Sequence, residues 1–76
     1  MDAPYRPIAC AIYDRYERAI LSRTPLTVRW LESERPCEDT VRIQALETAH
    51  GTEFVSFEDS RGAHHRVRLD RVTLVA

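Results

Sequence analysis

Cysteine and histidine are the residue types in this chain that could form a structural zinc site. Cys10 and Cys37 stand far apart, and His64 is adjacent to His65. Structural zinc sites use pairs of ligands separated by about two to five residues. Neighbouring residues of a strand, moreover, point to opposite faces. The spacing therefore predicts no metal site, and we expect two histidines on a surface strand that face opposite ways.

The same residues could instead form a nucleophile and its base, but they lie in no recognisable catalytic signature. Only two glycines occur in the chain, so it lacks a glycine-rich loop for phosphates. We expect a non-enzymatic protein with no catalytic residue and no cofactor. Because no signal peptide or membrane-spanning segment is evident, we expect a cytoplasmic protein with reduced thiols, although the sequence leaves a Cys10–Cys37 disulfide open.

Arginine supplies all 11 basic side chains, and 12 acidic residues bring the net charge to −1. This balance argues against a bulk basic footprint for nucleic acid. Arg66 and Arg68 share one face of a predicted strand, however, and Arg71 follows just beyond it. These three arginines define an alternative function, an RNA-binding module. A solvated face paired with acidic neighbours such as Glu58 and Asp70 is the interpretation that we favour.

The elements that must position these residues begin with an amphipathic helix over residues 10–23, which follows an N-terminal lead-in (residues 1–9). Asp14, Glu17 and Arg18 lie on its polar face, and Arg23 and Pro25 mark its end. The apolar face, which we expect to pack on the core, carries Ile12, Tyr16, Ala19 and Ile20, with Tyr13 at its edge.

Alternating apolar residues after Pro25 predict five short strands, at residues 26–31, 41–48, 54–57, 64–69 and 72–76. Residues 32–39 are expected to form a polar connection, and turns are expected at residues 50–51 and 59–62. We predict a mainly β fold with one N-terminal helix: a small five-stranded antiparallel barrel in a single domain, with Trp30 in the core. An open sheet with the helix on one face is the alternative, which would leave two edges exposed.

The two ends of the chain resemble the Rho-binding antiterminator (Rof) family. The N-terminal motif that carries the resemblance is Tyr5-x-Pro7-Ile8-x-Cys10-x-x-Tyr13-Asp14, followed by Glu17 and Ala19. The C-terminal motif is Arg68-Leu69-Asp70-Arg71-Val72-Thr73, which many Sm-like barrels also carry. The resemblance covers residues 5–75, although residues 31–52 match poorly.

The resemblance implies an Sm-like or SH3-like barrel that binds the hexameric transcription termination factor Rho. Binding at the RNA-binding domain of Rho would compete with nascent RNA and suppress termination. The residues that it implies for partner binding are Cys10, Tyr13, Asp14, Glu17 and Arg18, with Tyr5, Pro7 and Ile8 positioning the lead-in. Family members can carry acidic residues just before the tyrosine, where this chain has Ala11 and Ile12.

Overall fold

The computed structural model describes residues 4–75 and contains one helix followed by five antiparallel strands. The predicted mainly β fold with an N-terminal helix is therefore confirmed. Residues 1–3 of the lead-in and Ala76 of the predicted last strand lie outside the described residues. In chain order the elements are α1 (Cys10–Ser22), β1 (Leu26–Glu32), β2 (Arg35–Ala49), β3 (Thr52–Glu58), β4 (His64–Arg68), a 3-10 turn (Leu69–Arg71) and β5 (Thr73–Leu74).

Helix α1 packs on the sheet through its second and third turns, where Tyr16 is fully buried and Ala19 nearly so. Ile12, expected on the core face, is instead 40% exposed, and no residue of the first helical turn is buried. The helix ends as predicted at Arg23, which adopts a left-handed conformation (φ 57°) and donates its N–H to the carbonyl oxygen of Ala19. No helix among the described residues is long and apolar enough to cross a membrane.

Strands β1 and β2 form a hairpin whose two-residue turn is Ser33-Glu34, with φ angles of 49° and 65°. Positive φ at both positions is typical of the type I′ turn, whose twist matches that of the strands. The polar connection predicted over residues 32–39 is therefore wrong, since most of it belongs to β2. Pro36 is compatible with the strand because β3 pairs only with the later part of β2, which leaves this end of β2 paired on one side.

Strand β2 changes partner along its length, because its first part pairs with β1 and its second part with β3. The register shifts between Ile43 and Ala45, so Gln44 forms a bulge that bends the strand. The turn at His50-Gly51 joins β2 to β3, and the turn at residues 59–62 joins β3 to β4, both as predicted.

The strand order is β4-β3-β2-β1-β5, and the sheet is not closed. The expected closure into a barrel is not found, because no ladder within residues 4–75 joins β4 to β5. Strand β5 pairs only at Leu74 with Val28 and at Thr73 with Arg29. The 3-10 turn connects β4 to β5, which pair with β3 and β1 respectively, so β4 and β5 are the two edges of the sheet.

The core lies between α1 and the concave side of the bent sheet. Trp30 is 6% exposed, which confirms its predicted place in the core. Its ring meets Phe57 edge-on, with centroids 5.0 Å apart. The remaining buried core residues are Val28, Val41, Ile43 and Val55 in the strands, Leu69 in the 3-10 turn and Val72 just before β5.

Candidate functional site

An open groove of about 700 Å³ runs between the lead-in, the first half of α1 and the start of β3. We call it the helix groove. Its floor and walls are formed by Pro7, Ile8, Cys10, Ala11, Tyr13, Asp14, Glu17 and Glu53. No histidine is among these lining residues.

Four of the five residues expected to bind a partner lie together in the helix groove: Cys10, Tyr13, Asp14 and Glu17. Their spacing of three and four positions places them on one stripe of α1. The fifth, Arg18, does not line the groove. It pairs with Asp14 across one helical turn, with Nη2 and Oδ2 separated by 2.8 Å. Because both side chains are more than half exposed, the pair adds only about 0.3–0.5 kcal/mol to stability.

Glu53 supplies a further carboxylate to the helix groove from β3. Desolvation raises the pKa of Tyr13, and the negative charges of Glu53 and Glu17 raise it further. The phenol of Tyr13 therefore lies in the field of two carboxylates, one from the next turn of its own helix (Glu17) and one from β3 (Glu53). Sequence reasoning missed Glu53 because nothing in the local sequence indicates that the start of β3 lies beside α1.

The lead-in is attached to β3 and to the 3-10 turn by one hydrogen bond each. The hydroxyl of Tyr5 donates to Oε1 of Glu53 at 2.9 Å. The backbone N–H of Arg6 donates to Oδ2 of Asp70 at 3.0 Å. Burial raises the pKa of Tyr5, and the hydrogen bond to Glu53 raises it further. These contacts hold Pro7 and Ile8 beside the first turn of α1.

The arginines of the alternative RNA-binding surface have separate surroundings. Arg66 is half exposed, lies 3.6 Å from Glu47 and places its guanidinium 3.9 Å from the centre of the Phe54 ring. Arg68 is only 12% exposed and forms two hydrogen bonds with Asp70. Because Arg68 is buried in this pair, it does not share an exposed face with Arg66.

Arg71 lies on the 3-10 turn after β4. It lines a second groove, of about 480 Å³, beside the turn end of the β1–β2 hairpin. Trp30, Leu31 and Pro36 form apolar parts of that groove. Pairing with acidic neighbours is thus found for Arg66 and Arg68, but only Arg66 is solvated, so the three arginines do not form the single solvated face that we favoured. Arg71 lines a different surface.

The two histidines of β4 point to opposite faces, as expected from strand geometry. His64 is exposed and contacts Gln44 at 3.0 Å. His65 is not a surface residue, contrary to expectation: it is 12% exposed, stacks on Phe57 and lies 2.7 Å from Asp59. The hydrogen bond with His65 lowers the pKa of Asp59, and hydrogen bonds from the backbone N–H groups of Ala63 and Arg61 lower it further. This pair fixes the turn between β3 and β4.

Cys10 on α1 and Cys37 on β2 are free thiols. Within residues 4–75, no group of three or more histidine, cysteine, aspartate or glutamate side chains is arranged to hold a metal ion.

Comparisons of the chain with protein-family models, with curated proteins and with solved structures found no match. The resemblance to the Rho-binding antiterminators therefore stays a prediction, and the residues of the helix groove carry the functional argument.

Proposed function

We propose that this chain is a non-enzymatic transcription regulator of the bacterial cytoplasm. In this proposal it binds the RNA-binding domain of the Rho hexamer through the helix groove. By competing with RNA there, it reduces Rho-dependent termination. The observation that carries the proposal is that Asp14, Glu17 and Glu53 line one open groove together with Tyr13.

The chemistry of the helix groove favours a basic partner surface. A protein site that binds nucleic-acid phosphates is positively charged. A groove with three carboxylates complements such a site and speeds encounter with it. Tyr13 adds a large amphipathic side chain of the kind that often dominates binding energy. Occupancy of the site would lower the concentration of sites free for RNA, so termination would fall by mass action.

Glu53 bears on the departure from the family at Ala11 and Ile12. Acidic residues at those two positions would add charge to the first turn of α1, where this chain has apolar side chains. Ala11 lines the helix groove, and Ile12 is partly exposed. Because Glu53 brings a carboxylate to the same groove from β3, the groove keeps its negative character without them.

The test is calorimetric titration of the purified Rho hexamer with this protein, with and without a pyrimidine-rich RNA. We expect binding that the RNA abolishes. Asp14→Arg and Glu17→Arg should each weaken binding about tenfold, which corresponds to about 1.4 kcal/mol. The matched control is Glu32→Arg, which makes the same change of charge on an exposed residue at the far hairpin.

The proposal fails if no complex forms at micromolar concentrations. It also fails if the Glu32 variant loses as much affinity as the Glu17 variant, because the effect would then reflect net charge rather than the groove.

The second candidate function is an RNA-binding module, and one contact favours it. Arg66 stacks on Phe54, and an arginine beside an aromatic ring can serve as a platform for a base. Binding of this kind weakens with salt by about 0.7 log units per phosphate contact for each log unit of salt. Affinity for single-stranded RNA that Arg66→Ala removes would favour this function over Rho binding.

A further inference from the structure

The lead-in (residues 4–9 of the described chain) forms one wall of the helix groove through Pro7 and Ile8. This segment contains no helix or strand of its own. Its position therefore depends on contacts with the rest of the molecule. Tyr5 and Ile8 are half-buried against the core, and the backbone N–H of Arg6 is bonded to Asp70.

Asp70 uses both of its oxygens in these contacts. Oδ1 accepts from Nε of Arg68 at 3.1 Å, and Oδ2 accepts from Nη2 of the same guanidinium at 2.7 Å. The two parallel bonds fix the plane of the carboxylate. Oδ2 is then held towards the lead-in, where it also accepts the N–H of Arg6. Burial of Asp70 acts to raise its pKa. The hydrogen bonds from Arg68 and Arg6 act in the opposite direction and help to hold the pKa of Asp70 below its usual value.

The two side chains of this pair are little exposed, at 12% for Arg68 and 11% for Asp70. The guanidinium of Arg68 also lies 5.9 Å from the centre of the Tyr5 ring. The pair is thus covered by the lead-in that it holds. A macromolecular partner in the helix groove would contact Pro7 and Ile8 rather than the pair itself.

We propose that the Arg68–Asp70 ion pair positions the lead-in as a wall of the helix groove and so sets the affinity of the groove for its partner. This inference rests on the proposed function. It makes Arg68 a positioning residue, whereas the alternative function would make it a contact for RNA. A groove whose wall is in place only part of the time binds with an affinity reduced by that fraction.

The experiment compares Arg68→Gln with Arg66→Gln, which removes the same charge from the same strand but lies outside the contact with Arg6. Two quantities are measured: the affinity for the Rho hexamer, and hydrogen exchange at the amide of Arg6 by NMR of the free protein. We expect Arg68→Gln to accelerate exchange and to weaken binding about five- to tenfold. Arg66→Gln should change neither.

A second pair of variants tests the hydrogen bond without altering the ion pair. Arg6→Pro removes the backbone donor, and Arg6→Ala removes the side chain but keeps the donor. We expect only the proline variant to weaken binding. Arg68→Lys serves as the conservative variant: it keeps the charge but cannot bond both oxygens as the planar fork does, so it should restore only part of the affinity.

The results separate this inference from the proposed function. Absence of binding by the wild-type chain would overturn both, although Arg6 exchange in the free protein would still report whether the ion pair holds the lead-in. Equal losses for Arg66→Gln and Arg68→Gln, or faster exchange with unchanged affinity, would overturn the inference and leave Rho binding standing.

Discussion

Trp30→Ala should remove a large part of the stability of this domain. Trp30 is 6% exposed, meets Phe57 edge-on and lies 5.3 Å from the ring of His65, so its loss leaves a cavity in the centre of the core. Truncation of a buried aromatic costs about 3–5 kcal/mol. A domain of 76 residues has about 4–11 kcal/mol in total, so the substitution should remove at least about a quarter of the stability and would unfold a domain at the low end of that range.

The free energy of unfolding is to be measured by urea titration with far-ultraviolet circular dichroism, because Trp30 is the sole tryptophan of the chain. Leu31→Ala is the matched control: its side chain is 64% exposed, and we expect a change below about 0.5 kcal/mol. Trp30→Phe should cost less than Trp30→Ala, because it keeps an aromatic ring against Phe57. Both variants remove the buried indole N–H, which has no hydrogen-bond partner among the described residues. Similar losses for the alanine variants of Trp30 and Leu31 would refute the assignment of the core.

Three further predictions concern stability. Tyr16→Phe should be neutral or stabilising by up to about 1 kcal/mol at neutral pH in urea titration, because the buried hydroxyl has no hydrogen-bond partner within residues 4–75. Burial also raises the pKa of Tyr16 to about 12, so the wild type should lose stability as the pH rises above the usual tyrosine value of 10.0. This alkaline loss should be smaller in the variant. Replacing Ser33-Glu34 by Asn-Gly should raise the free energy of unfolding by about 0.5–1 kcal/mol, because both positions have positive φ, and an unchanged or lower value would contradict the type I′ turn. Hydrogen bonds lower the pKa of Asp59 in the folded state, so the stability that it contributes is complete above its usual pKa of 3.8 and is lost as the pH falls through the lower folded value. In thermal melts between pH 6 and pH 2, the melting temperature should therefore fall less for Asp59→Asn than for the wild type.

The helix and most of the strands could be predicted because their apolar residues repeat with the period of the element. Tyr16 and Ala19 recur on one helical face, and Val28 and Trp30 alternate with polar neighbours in β1. The start of β2 could not be predicted in this way. Near the hairpin tip the strand is mostly exposed, with only Cys37 and Asp39 half-buried, so Arg35–Asp39 shows no apolar alternation. Pro36 also lacks the N–H of an ordinary strand residue.

The sequence by itself determined that Cys10, Tyr13, Asp14 and Glu17 lie on one stripe of α1, since residues three and four positions apart are neighbours on a helix. It could not indicate that Glu53 completes the helix groove or that Arg68 is buried against Asp70 beneath the lead-in. These contacts join segments distant in the chain, and no local pattern records them. They depend on the bulge that bends β2, on where α1 crosses the sheet and on the 3-10 turn that brings Asp70 to the backbone of Arg6. Tertiary packing alone decided these positions.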